Sequence, residues 1–193
     1  VCGALANGLY AHVDGRADRV EVVFEDTLPV RSALYDALPE RQCSRSTYDG
    51  QSISAGDLDL LERAARGPGV HPVVLTDRSD IETVLECVAH GTAVQIRDRA
   101  FVNELATWIR FNEAEAARTG DGLSTAATGA PSAPRWLGRM LLRGLLTLRS
   151  ENEKNAKQLR SSAGVIVFFS DGNDPANWIE VGRAYERFAL QAT

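Results

Sequence analysis

Residues 163–169 read Ala-Gly-Val-Ile-Val-Phe-Phe, and after an Asp-Gly-Asn turn Asp174-Pro175 opens a long segment with an apolar stripe. The uninterrupted apolar run predicts a strand that is buried on both faces. Asp is a preferred N-cap residue and proline a preferred first helical residue, so the segment that follows predicts a helix. Within that helix, Gly182 is expected to let a second helix approach closely. This strand–turn–helix ending indicates a mixed α and β fold.

The rest of the chain carries similar local signals, with apolar spacing of helical period between turn residues. They predict a short helix within 1–12, strands at 19–25 and 70–76, a helix from Pro29 to Leu38, helices after capping boxes that begin at Ser54 and Ser79, and a further helix after a break at 97–99.

Two later segments stand out from this pattern. Residues 119–134 are rich in Gly, Ala, Ser, Thr and Pro and contain Asp121-Gly122, which predicts a long loop or lid. Residues 136–148 are apolar on nearly all sides apart from two arginines. A buried helix or a subunit interface is the preferred interpretation of this segment, ahead of a helix on a membrane surface.

Composition narrows the classes of function. The chain has 193 residues, 44% of them hydrophobic, which suits a single domain over 1–193. A net charge of -5 disfavours a nucleic-acid binder, which needs a broad basic surface. No apolar run approaches the length of a membrane helix, so no membrane partner is expected and the cytoplasm is the default location. Three widely spaced cysteines predict neither a disulfide framework nor a metal site.

Residues 41–48 read Arg-Gln-Cys-Ser-Arg-Ser-Thr-Tyr and form the most distinctive polar segment. Arg41 and Arg45 each carry a permanently charged planar fork of donors that suits phosphate oxygens. The plainer alternative is that both are surface residues paired with Asp36 or Glu40. Cys43 lies between the two arginines, which could lower the pKa of its thiol, although a small buried side chain is the simpler interpretation.

The spacing Arg-x-small-x-Arg-x-x-aromatic resembles the flavin-phosphate signature of the nitroreductase superfamily, and most of all its Acg-like branch. The order of later elements is also similar, from the helix after Ser54 through long central helices to a helix that reads Trp-Ile-Glu-Val-Gly-Arg-Ala-Tyr-Glu-Arg-Phe-Ala-Leu from 178. The middle pieces of that branch are similar to Glu104-x-x-x-Trp108-x-Arg110, Asp121-Gly122-Leu123 and Pro134-x-Trp136-Leu137-Gly138-Arg139. Trp108 is by itself more typical of a core residue.

The resemblance implies an α+β nitroreductase-like fold, with a mainly antiparallel central sheet flanked by long helices. It implies FMN as cofactor, with Arg41 and Arg45 on the phosphate, Gln42 at the pyrimidine edge or ribityl chain, and Cys43 in a small contact position. It implies an oxidoreductase that takes hydride from NAD(P)H and reduces a nitroaromatic, a quinone or a similar small-molecule acceptor. A homodimer is implied as well, since the flavins of the superfamily lie at subunit interfaces.

Two flavin-contacting elements of the superfamily, one upstream and one downstream, have no counterpart in this sequence. The alternative function is therefore an FMN-binding or storage protein without turnover, and a third is a scaffold of the same fold without flavin. The three histidines have no acidic partner at a telling spacing, and no Ser-His-Asp, HExxH, Walker or GxGxxG pattern is present. No side chain is predicted to be catalytic, which suits chemistry supplied by a cofactor.

Overall fold

A computed structural model describes residues 2–15, 19–42, 47–125, 132–145 and 147–193 of the chain. Helices and short strands alternate along these residues. The helices are α1 (Cys2–Ala6), α2 (Ala33–Asp36), α3 (Ala55–Ala65), α4 (Arg78–Arg97), α5 (Arg99–Trp108), α6 (Glu113–Thr119), α7 (Arg135–Leu145), α8 (Leu148–Ser161) and α9 (Pro175–Gln191). The strands are β1 (Leu9–Gly15), β2 (Val20–Asp26), β3 (Val70–Leu75), β4 (Ile109–Arg110), β5 (Leu123–Ser124) and β6 (Val165–Ser170).

The chain forms two compact units. The terminal unit contains the described residues of 1–44, 52–75 and 165–193, and the central unit contains those of 45–51 and 76–164. This grouping does not test whether the two units belong to the single domain predicted over 1–193, so that domain remains a prediction.

The terminal unit holds two antiparallel strand pairs. Strands β1 and β2 form a hairpin in which Leu9 lies opposite Asp26, and β3 pairs with β6 so that Val70 lies opposite Ser170. Helix α9 packs against α3 and β6, with Ala184 and Leu190 buried. The ring of Phe168 on β6 contacts those of Tyr185 and Phe188 edge to face. These contacts form the core of the terminal unit.

The central unit is mainly helical. Helices α4 and α8 run antiparallel, since Arg160 forms a two-bonded ion pair with Glu82 near one end while Asn155 donates to Thr92 towards the other. Ile81 and Leu85 of α4 are buried. Strands β4 and β5 form a short parallel pair in which Ile109 lies opposite Leu123.

Most of the predicted elements are confirmed, and so is the mixed α and β class. Residues 20–26, 70–75 and 165–170 are strands as predicted. Ser54 caps α3 by accepting the N–H of Asp57 at 3.1 Å, and Asp174 caps α9 with Pro175 in its first turn.

Three local predictions are wrong. The helix expected from Pro29 to Leu38 covers only Ala33–Asp36, because Ser32 caps it late and the Val30 N–H bonds to the carbonyl of Leu5. Helix α4 begins at Arg78, ahead of the expected box at Ser79, and its N-cap Asp77 makes no side-chain capping bond. A Cβ built at Gly182 meets no described atom within 4 Å, so no helix approaches there.

Expectations about burial and sheet order also change. Strand β6 is not buried on both faces, since Phe169 is 54% exposed at the outer end of a two-stranded ladder. The strands in the described residues form three separate two-stranded sheets rather than one central sheet. Trp136 and Met140 of α7 are exposed, so this helix is not buried all round as one interpretation expected.

Among the helices of the described residues, none combines the length and the apolar character that crossing a bilayer requires.

Candidate functional site

Arg41, the first residue of the predicted phosphate segment, directly follows the turn that ends α2. Its backbone N–H bonds to the carbonyl of Ala37 at 3.1 Å, which fixes where the segment leaves the turn. Its guanidinium Nε lies 3.3 Å from a carboxylate oxygen of Glu186 on α9, and the side chain is 32% exposed. A positioned cation at the surface of the terminal unit is therefore present where the sequence predicted one.

The other predicted flavin-binding residues contribute less to the described geometry. Gln42 is exposed beside Arg41. Cys43 and Arg45 lie outside the described residues. The plainer alternative named Asp36 as an arginine partner, but Asp36 pairs with Arg31, whose guanidinium lies 2.6 Å away.

Helix α9 carries two further arginines of the segment that resembles the superfamily. Arg187 donates to the carbonyls of Ala64 at 3.2 Å and Arg66 at 2.7 Å, so it satisfies groups at the end of α3 that have no partner within the helix. Arg183 pairs with Glu180, one turn earlier on the same helix. Both guanidinium groups thus have structural partners, and Glu186 is the residue of α9 that faces Arg41.

The sequence did not single out the largest buried polar cluster, which lies in the central unit. Arg110 is 6% exposed, and it donates to Asp121 Oδ1 at 2.7 Å, to the hydroxyl of Thr119 at 3.0 Å and to the carbonyl of Thr107 at 2.7 Å. Gly122, at a φ of +73°, allows the turn to pass close to this guanidinium. The Arg110 contact lowers the pKa of Asp121 below its ordinary value. The core position that the sequence favoured for Trp108 is wrong, since this side chain is 51% exposed, and Glu104 on the same helix is exposed as well.

Glu115 is the second buried member of this cluster. Its carboxylate accepts the backbone N–H of Phe111 at 3.1 Å and forms an ion pair with Arg135 at the start of α7. Burial by itself raises the pKa of Glu115. The contacts with Phe111 and Arg135 lower it by more, so the net pKa lies below the ordinary value. Glu115 and Arg135 are too far apart in sequence for local spacing to indicate a contact, so only the fold reveals this pair.

Two histidines have acidic partners that sequence spacing concealed. His71 Nε2 lies 2.7 Å from Asp171 Oδ1 across the β3–β6 ladder, and His12 Nε2 lies 3.3 Å from Glu25 Oε2 in the hairpin. Both pairs are exposed to solvent. Within the described residues, no three metal-ligating side chains converge. In the described residues, these two histidines therefore make surface contacts with single acids but form no assembled catalytic group.

A cavity of about 350 Å³ lies among α4, α5 and α8 in the central unit. Its walls combine apolar and neutral polar side chains with a single acid, and no arginine or lysine is among them. The lining residues are Val88, Thr92, Gln95, Ile96, Phe101, Leu105, Glu151 and Asn155. A phosphate dianion would gain no cation there, so Arg41 remains the better phosphate candidate.

Comparison of the chain with models of protein families and with curated proteins found no match in either set.

Proposed function

We propose that this chain binds FMN through the segment that begins at Arg41 and acts as a nitroreductase-type flavoenzyme. The observation that carries the proposal is the guanidinium of Arg41, which is one-third exposed and oriented by Glu186. A solvent-borne phosphate reaches such a group without opening the core. The order of α3, β3, the long helices α4 and α8, β6 and α9 supports the nitroreductase-like arrangement.

The donor chemistry at Arg41 fits a phosphate, with one competing feature. A guanidinium presents parallel N–H donors to two oxygens of a phosphate, and these charge-assisted bonds are the strong ones. Glu186 already places a carboxylate 3.3 Å from Nε, so an incoming phosphate shares the cation with it or displaces it. The segment therefore suits an anion whose charge exceeds that of one carboxylate.

In the proposed complex, Arg41 and Arg45 neutralise the phosphate, Gln42 hydrogen-bonds the ribityl chain or pyrimidine edge, and Cys43 fills a small contact position. When bound, FMN supplies the chemistry that takes hydride from NAD(P)H and delivers electrons to a nitroaromatic or quinone-like acceptor. The chain's own contribution is binding and orientation, and no side chain is assigned a proton transfer. A homodimer is part of the proposal.

The test compares two ligands that differ only in the phosphate. FMN and riboflavin are titrated into the wild type and into Arg41→Ala and Arg45→Ala, and flavin fluorescence is followed. Each replacement removes a contact worth about 1.5–3 kcal/mol, so FMN affinity should fall by at least about tenfold. Riboflavin affinity should not change, because riboflavin has no phosphate to lose.

Arg31→Ala is the matched control, since Arg31 is an exposed arginine of the same unit that pairs with Asp36 outside the segment. FMN affinity that stays unchanged in Arg41→Ala and Arg45→Ala would refute the proposed site. Steady-state oxidation of NAD(P)H with a nitroaromatic acceptor then separates an enzyme from the alternative, a protein that binds or stores FMN without turnover.

A further inference from the structure

Strand β2 presents a continuous apolar face to solvent. Every residue of the strand is exposed, and Val20, Val22 and Phe24 retain 57%, 44% and 57% of their surface. These three residues share one face because side chains alternate along a strand. The opposite face carries Glu21 and Glu25 on either side of Val23, which is 49% exposed. One side of this exposed strand is thus apolar, and the other combines two acids with one valine.

The backbone of β2 also has an open edge. The N–H of Thr27 bonds to the carbonyl of Gly8 at 2.9 Å, one step beyond the Leu9–Asp26 pair of the hairpin. Hydrogen-bonded pairs alternate in an antiparallel ladder, so Val20, Val22 and Phe24 direct their N–H and C=O groups away from β1. No strand of the described residues pairs with them. Such an edge is a template for one more strand.

We propose that a second copy of this chain pairs with β2 edge to edge, antiparallel, about a two-fold axis at Val22. The pairing places Val20 opposite the partner's Phe24 and Val22 opposite the partner's Val22. The two hairpins then form one four-stranded sheet with a continuous apolar face. Cross-strand apolar pairs of this kind stabilise a sheet, and a two-fold axis makes every contact away from the axis occur twice.

Charge complementarity favours the second copy as the occupant and favours this register over the neighbouring one. With the axis at Val22, Arg19 lies opposite the partner's Glu25, so each copy supplies both members of an ion pair. A shift of the axis to Val23 would place Glu21 opposite the partner's Glu25, and like charges directly opposite are destabilising. Glu25 also contacts His12 within its own hairpin at 3.3 Å.

The test measures the monomer–dimer equilibrium of the full chain by analytical ultracentrifugation over a concentration series. Val22→Lys places two ammonium groups face to face on the axis and should raise the dissociation constant of the dimer by at least about tenfold. Val94→Lys is the matched control, because Val94 is an exposed valine on α4, and it should leave the constant unchanged. Both sites are exposed, and far-UV circular dichroism verifies that the variants fold.

A charge swap tests the register. Arg19→Glu and Glu25→Arg should each weaken the dimer, whereas the double variant Arg19→Glu/Glu25→Arg should restore it to within about threefold of the wild type. A wild type that stays monomeric, a Val22→Lys variant that dimerises like Val94→Lys, or a double variant no stronger than the singles would each overturn the proposal.

The inference gives an interface to the homodimer that is part of the proposed function, but it does not depend on flavin binding. FMN titration of Val22→Lys measures flavin affinity separately from assembly, so failure of one proposal is distinguishable from failure of the other. Replacement of Trp136 and Met140 by Ala tests whether the exposed apolar side chains of α7 form the dimer interface instead. Dissociation of the dimer by that change alone, with no effect of Val22→Lys, would assign the interface to α7 and contradict the pairing of β2.

Discussion

At the scale of the residue, two arginines of this chain differ in what their surroundings allow. Arg110 is almost fully buried, and donors on each side of its guanidinium bond to Thr107, Thr119 and Asp121. Arg41 is one-third exposed and lies at a longer distance from its acidic partner. Burial and dense hydrogen bonding make Arg110 a structural cation, whereas the partial exposure of Arg41 is what the proposed anion site requires.

Replacement of Glu186 by Gln should strengthen FMN binding. The carboxylate competes with a phosphate for Arg41, and Gln keeps its size while removing its charge. We expect affinity for FMN to rise about two- to tenfold and affinity for riboflavin to stay constant, as measured by fluorescence titration. Glu180→Gln is the control on the same helix, because Glu180 pairs with Arg183 instead. Weaker FMN binding in Glu186→Gln would mean that the carboxylate positions Arg41 more than it competes.

Replacement of Glu115 by Gln should lower stability at neutral pH and matter less in acid. The ionised carboxylate bonds to Phe111 N–H and Arg135, and its loss should cost about 1.5–3 kcal/mol. Since the folded pKa lies below the unfolded value, this stabilisation is present above the unfolded pKa of about 4.3 and is lost as pH falls through the folded pKa. Thermal unfolding at pH 7 and pH 3 should show a Tm gap between wild type and variant that narrows at the lower pH. A gap that is constant with pH would rule out the charged form as its source.

At the scale of the element, two helix starts were predictable because a short polar side chain directly precedes the first turn. Ser54 and Asp174 accept the expected backbone N–H groups, so α3 and α9 begin where local chemistry places them. Pro29 failed as a helix start because the Val30 N–H is used in a bond to Leu5, a contact that no local pattern contains. Which face of a helix is buried also depends on its neighbours in the fold. Trp136 is therefore exposed although the apolar sequence around it indicated a buried helix.

Two glycine-to-alanine changes should act in opposite directions. Gly138 of α7 is packed so tightly on the ring of Phe111 that an added methyl group would overlap it, so Gly138→Ala should cost about 1–3 kcal/mol. Gly182 of α9 is exposed, with no described atom within 4 Å of an added Cβ, so Gly182→Ala should add up to about 1 kcal/mol. Urea unfolding of both variants measures the two changes. A loss of stability in Gly182→Ala would restore the close helix approach that the sequence suggested.

At the scale of the whole molecule, the pairs that hold each unit together join residues far apart in sequence. His71 meets Asp171, Arg160 meets Glu82, and Arg187 reaches the carbonyls of Ala64 and Arg66. Local periodicity predicts the strands and helices on which these residues lie, but it cannot say which strand finds which partner. The arginine segment stands out in the sequence because its residues are close together. The cluster around Arg110 and Glu115 does not, because its members are brought together only by the fold.

The division of the terminal unit along the chain has a consequence for biosynthesis. In the described residues, strand β3 pairs only with β6, and the last carbonyls of α3 bond to Arg187, so neither is completed until roughly a hundred later residues have been translated. The central unit is continuous over most of its length and can acquire its contacts while the ribosome is still adding α9. Emergence of α9 is then the event that completes the terminal unit, and until it occurs the face of α3 that packs against α9 stays exposed.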